Sequence, residues 1–362
     1  MCSVYCSCCA IFKYFNNSNL SVKLLNIMSN LTIQQHHLQT LLETFTQTAQ
    51  NSLTGLKNHT VAIETASTDS QEDEFQLDMD GCDAIPLEPA GVRVPVVACD
   101  MSTVKIADSA EGGLWAVRGS IVRKNVSGLE VMLVGPFVYT SSPRNVDMIL
   151  SSLFDVLGVD GKTPSFHQTT APKLVGNLFE KVLQLHASQI IEGGILLLDG
   201  ALTAGPADSP VEVVARIVES SHRNGLGVAA FSKSTTLTLQ GRNILSVAGT
   251  MAPPYVVKLP PRRTERWPVY CGSIYVAHLS PRYFPFRVDV SAADDIQLLN
   301  QLLSSEAIIY GYPESLILAH QLAKLSRLDI LSICARLEAL HKIKFTQSPS
   351  LRSFLFGPLT HS

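Results

Sequence analysis

The chain has 362 residues, 46% of them hydrophobic and 16% charged, with a formal net charge of −3. That composition supplies apolar side chains for one large core or two modest ones and excludes a chain disordered throughout. The slight acidic balance excludes a global basic footprint, so any nucleic acid would have to be held by a local groove or through metal ions.

Four of the eight cysteines (Cys2, Cys6, Cys8 and Cys9) crowd the start, and Cys82, Cys99, Cys271 and Cys334 are scattered without CxxC spacing. Neither a disulfide framework nor a zinc site is expected, and a reducing, cytoplasmic setting fits. Residues 1–27 read as an extension or a mis-assigned start, because Met28 opens a run with the character of a normal helical beginning. A palmitoylated cysteine cluster and a signal peptide are the functional alternatives there, although the segment has no compact apolar stretch with a cleavage site. Residues 28–90 divide into a helix, with apolar positions Ile33, Leu38, Leu41, Leu42 and Phe45 at helical intervals, and an acidic surface linker over 65–90. No uninterrupted apolar run reaches the length of a membrane span.

From Val92 the pattern changes. RVPVVACD, LWAVRGSIV and EVMLVGPFV are strand-like runs joined by short segments, as in an antiparallel meander. A mostly helical stretch over 145–191, interrupted around GVDGKTPS, leads to the apolar strand ILLLDG, a helix over 211–222 and a strand in GLGVAAFSK. Three hairpin-connected strands followed by two strands reached through helices is the order of an RNase H-like α/β core. It predicts a mixed five-stranded sheet flanked by helices, with the later strands parallel to the first. The remainder reads as a C-terminal α+β elaboration: strands in YVVKL, VYCGSIYVAHL and FRVDV, then helices over 292–303, 313–325 and 329–341.

Asp100 ends the first apolar strand and Asp199 ends ILLLDG. Parallel strands would put both carboxylates at one sheet edge, where hard divalent ions find oxygen ligands and keep positions open for phosphate and water. Glu180, in the helical run VGNLFEKVLQLH, is a natural third ligand, with Glu192 as a nearby alternative. Taken singly, a strand-end aspartate is more often a turn former and a mid-helix glutamate is usually exposed; the ordering of the three acids is the signal. The ILLLDG run also invites a Walker B reading with GKT at 161–163, but a phosphate loop would need glycine where Val156 stands.

VVACDMST, LLLDGAL, FSKSTTL, FRVDV and YGYPESLILAHQLAKLS, in that order, resemble the successive motifs of NurA nucleases. The resemblance covers about 92–340. It implies a NurA nuclease domain over 91–345 with a tail over 346–362, and a Mn²⁺- or Mg²⁺-dependent enzyme that degrades DNA ends 5′ to 3′ and cuts single strands. It also implies a homodimer docked on a HerA-type hexameric translocase. Its metal acids fall on Asp100, Glu180 and Asp199, and its late tyrosine and histidine on Tyr312 and His320. His320 would then ligate an ion or position water, and Tyr312 would hydrogen-bond a phosphate oxygen. A lone histidine on an apolar helix is otherwise a core residue.

Lys233 and Arg287 stand close to strand ends, as phosphate grips or as surface charge. Arg262 and Arg263, in PPRRTERW beside Trp267, suit a single-stranded backbone and equally an ordinary solvated loop. The family's first motif carries Asp-Gly-Ser, whereas this chain has Asp100-Met101-Ser102, and methionine cannot replace a glycine that needs an unusual dihedral or close approach. A non-catalytic RNase H-like module that binds DNA or regulates a translocase is the alternative from another class, and a transposase or resolvase is the alternative within the fold.

Overall fold

The computed structural model describes residues 84–346 except 110–111, 160–169, 205–208, 236, 240–241, 247–251, 261–268 and 282. Before residue 84 it describes the triplets 60–62 and 75–77 and individual positions between 42 and 53. The 1–27 extension and the Arg262–Arg263 segment lie outside the described residues.

The meander is longer than its apolar runs suggest: β1 (Val96–Ser109), β2 (Gly112–Asn125) and β3 (Gly128–Thr140) pair antiparallel in sequence. The polar half of β1, from Met101 onward, continues as strand because β2 pairs with it along its whole length, around a register shift between Lys105 and Ala107. Helices α1 (Pro143–Leu157) and α2 (Ala171–Ala187) follow. Next come β4 (Gly194–Asp199), α3 (Val211–Arg223) and β5 (Leu226–Ser232). The first half of β1 pairs parallel with β4, Val96 with Ile195 through Cys99 with Leu198, and β4 pairs parallel with β5. The spatial order β3-β2-β1-β4-β5 is the expected five-stranded core.

The C-terminal part extends that sheet. β8 (Phe286–Ser291) adds antiparallel to β5, and β7 (Ser273–His278) and β6 (Tyr255–Lys258) follow outward, giving an eleven-stranded mixed sheet with helices packed on it. The stretch expected as linker contributes to it too, since Ala84–Pro86 pairs with β6 at the far edge. A three-residue strand is too short to show a period, which is why sequence patterning passes over it. Leu53 is buried with Ile106, Leu114 and Leu325, so the N-terminal helix packs on the body at that position.

Three helices follow β8: α4 (Asp295–Ser305), α5 (Glu314–Ala323) and α6 (Arg327–His341). α5 lies over β1 and β2, burying Leu316, Ala319 and Ala323, and Ser120 Oγ of β2 donates to the Ala319 carbonyl at 2.6 Å. Its N-terminus is capped by the buried Glu306 carboxylate, which accepts from Ser315 N at 2.9 Å and Ser315 Oγ at 2.8 Å. An anion at a helix start offsets the unpaired amides there. Among the described residues no helix is long and apolar enough to cross a membrane.

Candidate metal centre

The parallel pairing of β1 and β4 places Asp100 and Asp199 side by side where the two apolar strands run out of the core. α5 crosses above this edge and hangs His320 over it, with Nδ1 2.7 Å from Asp100 Oδ2. Ligand atoms of Asp100, Asp199 and His320 all lie within 4.8 Å of one another, and among the described residues this is the one such group. Asp100 is buried and His320 is half-exposed, so the group opens to one side.

Burial raises the Asp100 pKa, and the neighbouring Asp199 charge raises it further, against the lowering effect of its bond to His320. Two carboxylates pressed together in a poorly solvated place repel, and a cation between them would remove that cost. The donor set of two carboxylates and one imidazole suits Mn²⁺ or Mg²⁺, the imidazole favouring Mn²⁺ of the two. With the proton on Nδ1 donated to Asp100, Nε2 of His320 keeps its lone pair.

Glu180 faces the group from α2 but stands outside the 4.8 Å radius. Burial pushes its pKa up to about 7, with Asp100 and Asp199 pushing the same way, while Lys181 and the bond from Gln184 Nε2 at 3.0 Å oppose. Glu192 is exposed at the far end of the loop before β4 and carries no contact with the group.

Tyr312 is buried, its ring edge-on to Phe231 and Phe286, and its hydroxyl donates to Asp199 Oδ1 at 3.1 Å. Lys233, one residue past β5, reaches Asp199 Oδ2 at 2.5 Å and lies 5.5 Å from the Tyr312 ring centre. The structure thus gathers Asp100, Asp199, His320, Tyr312 and Lys233, with Glu180 beside them.

Arg287 lies elsewhere. It is 6% exposed, and its guanidinium forks onto Asp289 with two bonds of 2.7 Å; Asp289 in turn accepts from Leu202 N at 2.9 Å. This buried pair anchors the loop that follows Asp199, where Gly200 takes a φ of 109° that suits glycine. The phosphate-grip expectation placed this side chain at a strand end; it is buried and paired with Asp289. The signal for it was present in FRVDV, where opposite charges two residues apart share one face of a strand.

Met101 occupies ordinary extended backbone, since among described non-glycine residues only Tyr310 and Lys342 have positive φ. The side chain lies against Gly176 of α2, where an added Cβ would fall on Met101 Cε and 2.8 Å from Thr103 Oγ1. The absence of a side chain at Gly176 is what leaves room for Met101 between the strand and the facing helix. Sequence reasoning passed over Gly176, because a single helical glycine shows its purpose only when its neighbour in space is known.

No family profile matches this chain, and no curated protein matches it. Among solved structures it is similar to the NurA nuclease from Sulfolobus solfataricus, at 15% identity and a TM-score of 0.46, covering 90% of this chain and 98% of that one. It is also similar to an endonuclease V from Streptomyces avermitilis, at 14% identity and a TM-score of 0.35, covering 80% and 93%. A third is a NurA structure bound to dAMP and manganese, at 9% identity and a TM-score of 0.38, covering 67% and 87%. At these identities and scores the likenesses bear on none of the residues above.

Proposed function

We propose that the protein is a divalent-metal-dependent DNA nuclease. The observation that carries this reading is the convergence of Asp100, Asp199 and His320 within 4.8 Å where the parallel pairing of two adjacent strands ends, open to solvent on one side. The two aspartates and His320 would hold the ion, and Glu180 supplies a further carboxylate from the helix side. Mn²⁺ or Mg²⁺ in that place supplies Lewis-acid charge to a phosphodiester and eases deprotonation of the attacking water.

The chain's own groups account for the rest. Asp100 fixes the ring plane of His320 through the 2.7 Å contact. Tyr312, whose hydroxyl donates to Asp199 at 3.1 Å, would hydrogen-bond a phosphate oxygen. Lys233 is half-exposed and adds positive charge beside Asp199. The motif resemblance extends the proposal to 5′ to 3′ degradation of ends, single-strand cutting, a homodimer, a HerA-type translocase partner and a cytoplasmic setting.

The test is cleavage of end-labelled single- and double-stranded DNA with Mn²⁺, Mg²⁺ or EDTA, beside Asp199→Ala, with calorimetric titration of Mn²⁺ into both proteins. Metal-dependent cleavage and Mn²⁺ binding, both lost in the variant, are expected. Wild-type protein that neither binds Mn²⁺ nor cuts, even with a translocase present, refutes the reading in favour of a non-catalytic module.

A further inference from the structure

Beyond the metal centre, three aromatic side chains among the described residues stand in solvent: Tyr283 is 44% exposed, Tyr310 66% and Phe284 87%. They are assembled. The Tyr283 and Tyr310 rings meet edge-to-face at 4.8 Å and 89°. Tyr310 sits at the tip of the two-residue hairpin between Ile308–Ile309 and Tyr312–Pro313, with φ of 55° at Tyr310 and 85° at Gly311. Two successive left-handed residues close such a turn, and a tyrosine rarely takes the first of them. Gly311 seats that tip on the other segment, since a Cβ there would lie 3.1 Å from the Phe286 ring and 3.3 Å from the Phe284 carbonyl.

The sheet register says where this cluster lies. Arg287 pairs with Ser232, so residues 283–286 run past the same edge at which β4 and β5 end in Asp199 and Ser232 and the pairing of β1 with β4 stops beside Asp100. β8 is two strands from β4 in the order, about 10 Å at ordinary strand spacing. Lys233 follows the strand between them, and Tyr312, at the foot of the hairpin, reaches Asp199. A row of carboxylates, a cation and then exposed rings thus runs along one edge.

We propose that Tyr283, Phe284 and Tyr310 form a stacking ledge for unpaired nucleobases, laying a single strand along this edge toward Asp100 and Asp199. The inference rests on the nuclease reading of that centre. Duplex bases already bury their faces against one another, so exposed rings of this kind select a strand whose bases are free. Stacking is indifferent to sequence, and the cation beside it meets the backbone.

The experiment is metal-free binding, in EDTA, of a fluorescent mixed-sequence single-stranded oligodeoxynucleotide to the full chain, comparing wild type with Tyr310→Ala, Phe284→Ala and Tyr310→Phe. Each alanine variant is expected to bind about 5- to 100-fold more weakly, and Tyr310→Phe to stay close to wild type. The ratio should persist as salt weakens every protein's binding. Absence of wild-type binding, or alanine variants that bind like wild type, overturns the ledge. So does the outcome in which those variants instead dissociate a dimer in sedimentation, which assigns the rings to a protein interface. Cleavage with Mn²⁺, measured in parallel, separates the two ideas: unchanged binding with active cleavage removes the ledge alone, and ring-dependent binding without cleavage removes the hydrolytic reading alone.

Discussion

Gly176→Ala should destabilise the protein only while Met101 is present. The added methyl falls on Met101 Cε and 2.8 Å from Thr103 Oγ1, between α2 and β1. Overpacking of this kind costs about 1–3 kcal/mol, and alanine in place of a mid-helix glycine returns about 1 kcal/mol, so the single variant should lose roughly 0–2 kcal/mol. In a Met101→Ala background the terminal methyl is absent, and the same change should be neutral or stabilising by up to about 1 kcal/mol. A coupling of about 1–3 kcal/mol between the two sites follows, read from urea midpoints of the four proteins. Glu180 lies one helical turn beyond Gly176 on the same face, so a displaced α2 should also reduce Mn²⁺ affinity in the single variant. Additivity within about 0.5 kcal/mol would show that the helix does not rest on Met101 and would refute the compensation.

His186 is buried, with Nε2 unpaired, and burial lowers its pKa to about 4. A depressed histidine contributes stability that is full above the unfolded value near 6.5 and is lost as pH falls toward 4, so wild type should lose about 3 kcal/mol across that window relative to His186→Leu. Equal pH slopes in denaturant titrations of the two proteins would contradict this. Arg287→Ala strands the buried Asp289 carboxylate and should cost about 3–5 kcal/mol, while Arg287→Ala with Asp289→Ala should recover much of it in thermal unfolding. Tyr312→Phe keeps the ring packing against Phe231 and Phe286 and removes the donor to Asp199. Stability should fall by about 1 kcal/mol and Mn²⁺-dependent cleavage by about 100-fold, and cleavage at the wild-type rate would remove Tyr312 from the site.

The parts of the molecule legible in its sequence are those set by local pattern. Apolar runs ending in Asp100 and Asp199 mark where two neighbouring strands leave the core, and the order of strand and helix runs dictates a core with β1 and β4 parallel. Helical periodicity places α1 to α6 close to their observed bounds. Each of these follows from the two- and 3.6-residue periods, which neighbouring residues reveal without knowing the fold.

What tertiary structure alone decided is which side chains meet. Whether His320 reaches Asp100, and whether Lys233 and Tyr312 converge on Asp199, depends on how α5 and the Ile308–Pro313 hairpin settle on the sheet. FRVDV put Arg287 and Asp289 on one strand face, but that this face is buried was decided by β7 and β8 joining the main sheet. Met101 and Gly176 are far apart in sequence, and only packing makes the absence of one side chain the condition for the other. Periodicity is a property of the chain, whereas complementarity is a property of surfaces that the chain brings together only when it has folded.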